Sequence, residues 1–307
     1  MSDEYDNVSK VMKINLKKSA LFLLLFLICI ANFSWAIDLP LSNEPKIRRS
    51  LSKGEKYFGE INLTNPSDEP RHMRLYLEDW RYAPHGDGAK EFSPAGSSKF
   101  SACSWIKFTP QEFTLPSHAQ QKIHYTITVP DKDVEGAYFA VLFYETVLGQ
   151  AEAKKDAGAA IDLTVRVGTL FYVEVRNTVK REVSIDTLVI EKKAAPKRLE
   201  IEANLKNTGN VDSTASGTFH IIDKKGIVYV RSGFNLAYTF PGDSAKLKAS
   251  WDIHKQPIPA GVYDIVLTVD IGKAQAEAGL GRGPIITKEA QIEIGYNGDV
   301  LRVGELK

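Results

Sequence analysis

Apolar residues recur at every second position of this chain, in one short run after another. Met73, Leu75 and Leu77 alternate with Arg74 and Tyr76. Ile123, Tyr125, Ile127 and Val129 alternate with His124, Thr126 and Thr128. Ile201, Ala203 and Leu205 alternate with Glu202 and Asn204, and Leu247, Ala249 and Trp251 with Lys248 and Ser250. Successive side chains of a strand point to opposite faces, so period two marks a strand with one face buried. Turn chemistry ends each run, as in Asn65-Pro66-Ser67-Asp68, Pro84-His85-Gly86-Asp87-Gly88, Asn207-Thr208-Gly209-Asn210, Asp223-Lys224-Lys225-Gly226 and Pro241-Gly242-Asp243. After residue 36 no segment carries a sustained 3.6-residue apolar stripe. Many short strands between turns predict an all-β chain built as sandwiches or barrels.

A length of 307 residues suggests two domains, and the pattern does occur twice. Asn62-Leu63-Thr64-Asn65 closes one strand and Asn204-Leu205-Lys206-Asn207 another. Gly136-Ala137-Tyr138 opens a long strand after Val129-Pro130, and Gly261-Val262-Tyr263 opens one after Pro257-Ile258-Pro259. A tyrosine at the start of the penultimate strand marks immunoglobulin-like sandwiches, where its hydroxyl bonds back to the preceding corner. The expectation is two immunoglobulin-like β-sandwiches in tandem, over residues 37–178 and 179–296, with the added length of the first copy in Tyr82–Ser104. Gln150–Ala160, Glu191–Arg198 and Ala274–Gly283 read as loops, and residues 297–307 as a C-terminal tail.

The N-terminus reads as an export signal. Lys13, Lys17 and Lys18 precede an apolar stretch from Ala20 to Ala31, and Ser34-Trp35-Ala36 places small residues at −3 and −1 of a cleavage site. The stretch is shorter than the ~20 residues that span a bilayer. Residues 1–36 are expected to be removed, with Met12 a second candidate start, and the product to be exported, periplasmic or at the cell surface, without membrane insertion. The formal charge is +1, and loss of four lysines and three acids with residues 1–36 brings it to zero. No field of one sign is left to draw in nucleic acid. Cleavage also leaves Cys103 without a second cysteine, so the domains rest on their cores. Cys103 reads either as a reactive thiol or as a small buried hydrophobe.

Signs of an enzyme are missing. The chain has no Gly-x-Ser-x-Gly elbow, P-loop or dinucleotide fingerprint, and its six histidines stand at no metal-ligand spacing. Gly86-Asp87-Gly88 lacks the acidic ladder of a calcium loop and reads as a plain turn. Glu78 and Asp79 are neighbours on a strand and point apart. No metal and no cofactor is expected. Trp80, Trp105 and Trp251 leave two readings open, sugar-stacking platforms or core.

The order of motifs in residues 45–176 resembles the N-terminal domain of PapD-like periplasmic pilus chaperones. It runs from Asn62–Pro66 through Glu78-Asp79-Trp80, Trp105-Ile106-Lys107-Phe108-Thr109-Pro110, Phe113-Thr114-Leu115 and Val129-Pro130 to Val165-Arg166-Val167-Gly168-Thr169-Leu170-Phe171-Tyr172. Residues 181–296 resemble bacterial immunoglobulin-like surface modules. The resemblance implies two sandwiches at an angle and a fibre-subunit partner completed by a strand of the chaperone. It also implies a carboxylate anchor, for which Arg48 or Arg49 suits the first strand. Thr169 stands where the family has lysine, and Arg166 is the nearest base, which marks a divergent relative. From Ile161 to Val175 every odd position but Thr169 is apolar, in a run far longer than an ordinary strand. Two readings of that row stand: it faces the chain's own core, or Ile161, Leu163, Val165 and Val167 receive a partner strand. The leading expectation is a non-enzymatic chaperone-like or accessory protein that binds a fibre subunit or surface protein through a sheet edge. The alternatives are a structural surface or adhesin module and a carbohydrate-binding sandwich.

Overall fold

The alternating runs fold into strands that pair almost wholly antiparallel. The computed structural model describes residues 39–84, 86–151, 161–193 and 198–307; the expected signal segment and most of the Gln150–Ala160 loop lie outside them. Ten strands build the first sandwich: β1 (Leu41–Ser42), β2 (Lys46–Leu51), β3 (Lys56–Thr64), β4 (Arg71–Tyr82), β5 (Lys90–Pro94), β6 (Ile106–Thr109), β7 (Glu112–Leu115), β8 (Gln120–Thr128), β9 (Ala137–Ala151) and β10 (Ile161–Val175). One sheet has the order β1-β3-β8-β6 and the other β2-β10-β9-β4-β5, with β7 on β4. Nine strands and one short helix build the second: β11 (Val183–Lys193), β12 (Arg198–Asn207), β13 (Ser213–Ile222), β14 (Val228–Gly233), β15 (Ala237–Thr239), β16 (Ser244–Asp252), β17 (Gly261–Asp270), α1 (Lys273–Glu277), β18 (Ile285–Ile294) and β19 (Val300–Val303). Its sheets are β11-β12-β16 and β14-β13-β17-β18-β19, with β15 on β13. The chain is all-β, two immunoglobulin-like sandwiches in tandem.

The predicted rows fill the cores. Ile61, Leu63, Ile123, Tyr125 and Ile127 of one sheet face Met73, Leu75, Leu142, Phe171 and Val173 of the other in the first sandwich, and Ile201, Ala203, Leu205, Leu247 and Trp251 sit in the second. All three tryptophans singled out are buried: Trp251 donates Nε1–H to the Gln256 carbonyl at 2.9 Å, and Trp105 packs on Tyr138 with centroids 4.2 Å apart.

The duplicated motif has one physical role in both copies. Asn65 and Asn207 are buried. Asn65 Oδ1 accepts the Ser67 N–H while its Nδ2 donates to the Glu69 carbonyl, and Asn207 makes the matching pair with Gly209 and Val211. Each amide closes its turn from within, as the Asx turn does. Tyr263 Oη donates to the Pro259 carbonyl at 2.8 Å, the corner bond expected of an immunoglobulin-like fold.

Three loop expectations are corrected. Glu191–Arg198 is not a loop throughout: β11 and β12 form a hairpin in register up to Lys193 opposite Arg198. Residues 297–307 are not a free tail, because β19 pairs with β18 and Lys307 exchanges backbone bonds with Glu289. Ala274–Gly283 contains most of α1, whose Gln275 is fully buried. In each case backbone groups found partners that local composition does not reveal.

Asn65→Ala removes three donor contacts from a buried amide and leaves carbonyls unpaired, at a cost of about 1–3 kcal/mol. Urea unfolding should show that loss for Asn65→Ala and a similar one for Asn207→Ala.

Candidate functional site

β10 lives in two environments. Over Leu170–Val175 it lies between β9 and β2, antiparallel to the first and parallel to the second. Its odd residues Phe171, Val173 and Val175 enter the first core. Its even residues Leu170 and Tyr172 enter a different cluster, with Trp80, Tyr82 and Phe139 of the first sandwich and Val211 and Phe240 of the second. Trp80 meets Tyr82, Phe139, Tyr172 and Phe240 edge-on, with centroids 5.0–5.7 Å apart. This aromatic cluster joins the two sandwiches.

Before Leu170 the support on one side ends. Leu170 N–H bonds to the Pro45 carbonyl, the last bond toward β2. Just upstream the first segment of the chain switches sheets: β1 pairs with β3 and β2 with β10. Thr169 seals that switch. Its hydroxyl donates to the Glu44 carbonyl at 2.7 Å, accepts from Tyr144 Oη at 2.9 Å and stands 3.1 Å from Ser42 Oγ. From Ile161 to Thr169, β10 has β9 on one side and, among the described residues, no strand on the other. Backbone groups of a strand face alternate sides, and Leu170 N–H faces β2. The same parity aims the N–H and C=O of Gly168, Arg166 and Thr164 at the open edge.

Burial divides the candidate row. Phe171 and Val173 are 0% exposed, Leu163 is 49% exposed, and Val165 and Val167 are half-buried. The Ile161 side chain lies outside the described residues. An apolar, unpaired edge is a template for a further strand.

The three candidate anchors do not converge. Arg48 is nearly buried and bidentate on Asp212 of the second sandwich, at 2.9 and 3.2 Å, with its guanidinium 3.6 Å from the Tyr172 ring centroid. Gln275 donates to the Asp212 carbonyl at 3.1 Å, so α1 holds the same pair. Burial pulls the Arg48 pKa down, but the charge of Asp212 and the bonds to it, with Tyr172 and Tyr82 nearby, together raise it far above the usual arginine value. Arg49 lies near the Tyr57 ring and donates to the Arg48 carbonyl. Arg166 pairs with Glu78 at 2.9 Å on the outer face of the sheet. A cleft of about 570 Å³ between the sandwiches is lined by Lys46, Arg48, Arg49 and Lys273, with Glu277 among them.

Sequence reasoning missed Asp212 and Gln275. The turn Gly86-Asp87-Gly88 also has a role that its spacing did not show. Gly86 O accepts Tyr238 N–H at 3.0 Å, and a Cβ at Gly88 would stand 2.8 Å from the Tyr238 ring, so this turn clasps the second sandwich.

Other expectations take their places. His72, His118 and His124 are exposed and beside Glu112, Asp68 and Glu60. Among the described residues no group of three His, Cys, Asp or Glu could hold a metal ion. With Trp80, Trp105 and Trp251 buried, none of the three can stack on a sugar. Cys103 is buried, and its thiol donates to Asp79 Oδ1 at 3.1 Å. Burial first, then Asp79, push the thiol up to about 12.

No family model matches this chain, and no curated protein matches it. Among solved structures it is similar to the class 5 fimbriae chaperone CfaA, at 15% identity over 81% of this chain and 98% of that one, with a TM-score of 0.41. A complex of the Salmonella enterica SafA pilin with the SafB chaperone is similar at 13% identity, 83% and 97% coverage and a TM-score of 0.40. The E. coli chaperone DraB is similar at 13% identity, 82% and 96% coverage and a TM-score of 0.39.

Asp212→Ala strands a buried guanidinium and should cost about 3–5 kcal/mol in urea unfolding, while the double change Arg48→Met with Asp212→Leu should restore most of it. A thiol titrating near 12 holds almost no thiolate at pH 8, so Cys103 should react with a disulfide reagent at least about a hundredfold faster in denaturant than in the folded chain.

Proposed function

We propose that this chain is an exported, non-enzymatic chaperone-like protein that captures a fibre or surface-protein subunit by lending it the open edge of β10. One observation carries the reading: an apolar row, Leu163, Val165 and Val167, on a strand whose other backbone side has no partner among the described residues. Soluble proteins normally blunt such an edge with charge, a bulge or a covering loop. Here a bulge interrupts the ladder between Asp162 and Thr164 and Arg166 lies on the outer face, yet the odd row of Leu163, Val165 and Val167 stays apolar beside the open edge. A partner strand added there would gain main-chain bonds from Thr164, Arg166 and Gly168 and side-chain contacts from the odd row. The motif order of residues 45–176 supports the same reading. The alternative of a purely structural surface module leaves the open edge without a use, and the carbohydrate reading loses its three tryptophans to the core.

In this reading Arg48 is not an anchor, because Asp212 already holds it. The cleft cations Lys46, Arg49 and Lys273 are the ones a partner's carboxylate would meet.

Three substitutions separate lending from core packing, read by capture of subunits co-expressed with the full chain. Leu163→Lys should leave the protein folded and reduce capture at least tenfold. Thr164→Pro removes one edge-facing N–H without touching the bonds to β9, a change tolerated on edge strands, and should also reduce capture about tenfold. Phe171→Lys buries an unpaired charge and should unfold the first sandwich. Capture that survives both edge changes would sink the proposal.

A further inference from the structure

The β9–β10 hairpin runs beyond the strand that supports it. β4 pairs with β9 only from Arg74 opposite Glu145 to Glu78 opposite Val141. Past that point Thr146–Ala151 and Ile161–Val165 form a two-stranded ribbon, a form that is marginal in water without further support. At its base, on the face opposite the odd row, stands a cluster with no part in the capture just described. Phe92 of β5 packs edge-on against Phe143 of β9, with centroids 4.9 Å apart. The Arg166 guanidinium lies 4.2 Å from the Phe143 centroid and 5.5 Å from that of Phe92. It donates to Glu78 Oε1 at 2.9 Å and to Tyr76 Oη at 3.3 Å, and Tyr76 Oη donates to Glu145 Oε2 at 2.8 Å. Four strands, β5, β4, β9 and β10, meet around one side chain. Gly168 completes the fit, since a Cβ there would stand 2.6 Å from Val141 Cγ2 and 3.0 Å from the Phe143 ring.

The guanidinium is suited to this place. Its Nη1 donates to both acceptors while its flat face lies over an aromatic ring, a stacking geometry that a lysine ammonium lacks. β5 supplies Phe92 and belongs to the segment that makes the first sandwich longer than the second.

We propose that this cluster is a buttress and that Arg166 is a positioning residue: it keeps β10 extended from Thr164 to Gly168 before a partner arrives, so the edge is offered preformed. Ordering a strand during binding weakens affinity, and holding it in advance removes that loss. The proposal rests on the edge reading above and adds to it a division of labour between the two faces of the hairpin, one braced by Arg166 and Phe92, the other left open.

Hydrogen exchange of the free, full-length protein tests it. Arg166→Met keeps the aliphatic stem and loses the fork; Phe92→Ala removes the ring. Both should raise exchange at least tenfold at Val165 and Val167, whose amides face β9, while leaving β12 and β17 protected as before, and Arg166→Lys should fall between Arg166→Met and the unchanged chain. A fluorophore-labelled synthetic peptide alternating valine with threonine between solubilising lysines serves as the strand probe, and its affinity should fall at least tenfold for Arg166→Met. Unchanged exchange in both variants overturns the buttress, and so does a loosened arm with undiminished peptide affinity. If Leu163→Lys and Thr164→Pro leave peptide binding intact, or the unchanged chain binds no peptide, the edge reading has failed, and exchange alone decides the buttress.

Discussion

The six residues from Leu170 to Val175 serve two cores at once. Phe171, Val173 and Val175 fill the first sandwich, while Leu170 and Tyr172 on the opposite face pack against the second. Both backbone sides are paired as well, by β9 and by β2. A strand satisfied on every side is the most rigid element a sheet can offer, and the rest of the molecule is arranged from it. The second sandwich docks on its even row, the first strand turns around its upper end, and the remainder of the same strand projects outward from a fixed root.

The interface on that root combines apolar and charged contacts in a definite order. The ring cluster around Trp80 buries apolar side chains of both sandwiches against each other, which favours their contact. The Arg48–Asp212 pair adds little net energy, since desolvating two charges offsets much of their attraction. What it adds is intolerance of misalignment: an arginine fork on a carboxylate fits one mutual placement, and Gln275 and Tyr172 hold the two groups from either side. Gly86 and Gly88 close the far end of the contact against Tyr238. The sandwiches therefore meet through shape at the centre and through directed bonds at the rim.

Much of this was legible from alternation alone. Rows such as Ile201, Ala203 and Leu205 sit where period two places them, and the repeated Asn-Leu-x-Asn predicted a duplication that recurs down to the bonds of Asn65 and Asn207. What alternation hid was the second buried face. Leu170-Phe171-Tyr172-Val173 is apolar at consecutive positions, the pattern of a strand covered on both sides. Weighing only its odd members left the docking of the second sandwich unseen. Arg48 illustrates a further limit. The family resemblance suggested an anchor, yet its partner Asp212 is 164 residues away, and no local pattern announces a contact at that separation. The open edge itself was a matter of which neighbours are missing, a property of topology rather than of any residue.

The sheet switch at Ser42–Pro45, held by Thr169, has a consequence for measurement of length. β2 occupies the side of β10 from Leu170 onward, so a strand laid along the open edge runs head-on into Pro45 and can go no further. The described part of that edge, from Ile161 to the end stop, runs roughly 30 Å at ~3.3 Å per residue. In the proposed capture a guest would then be aligned by collision, as a plank slid into a slot comes to rest against its back wall. One register further along would drive the guest into that wall, and one register back would leave the floor beside it bare.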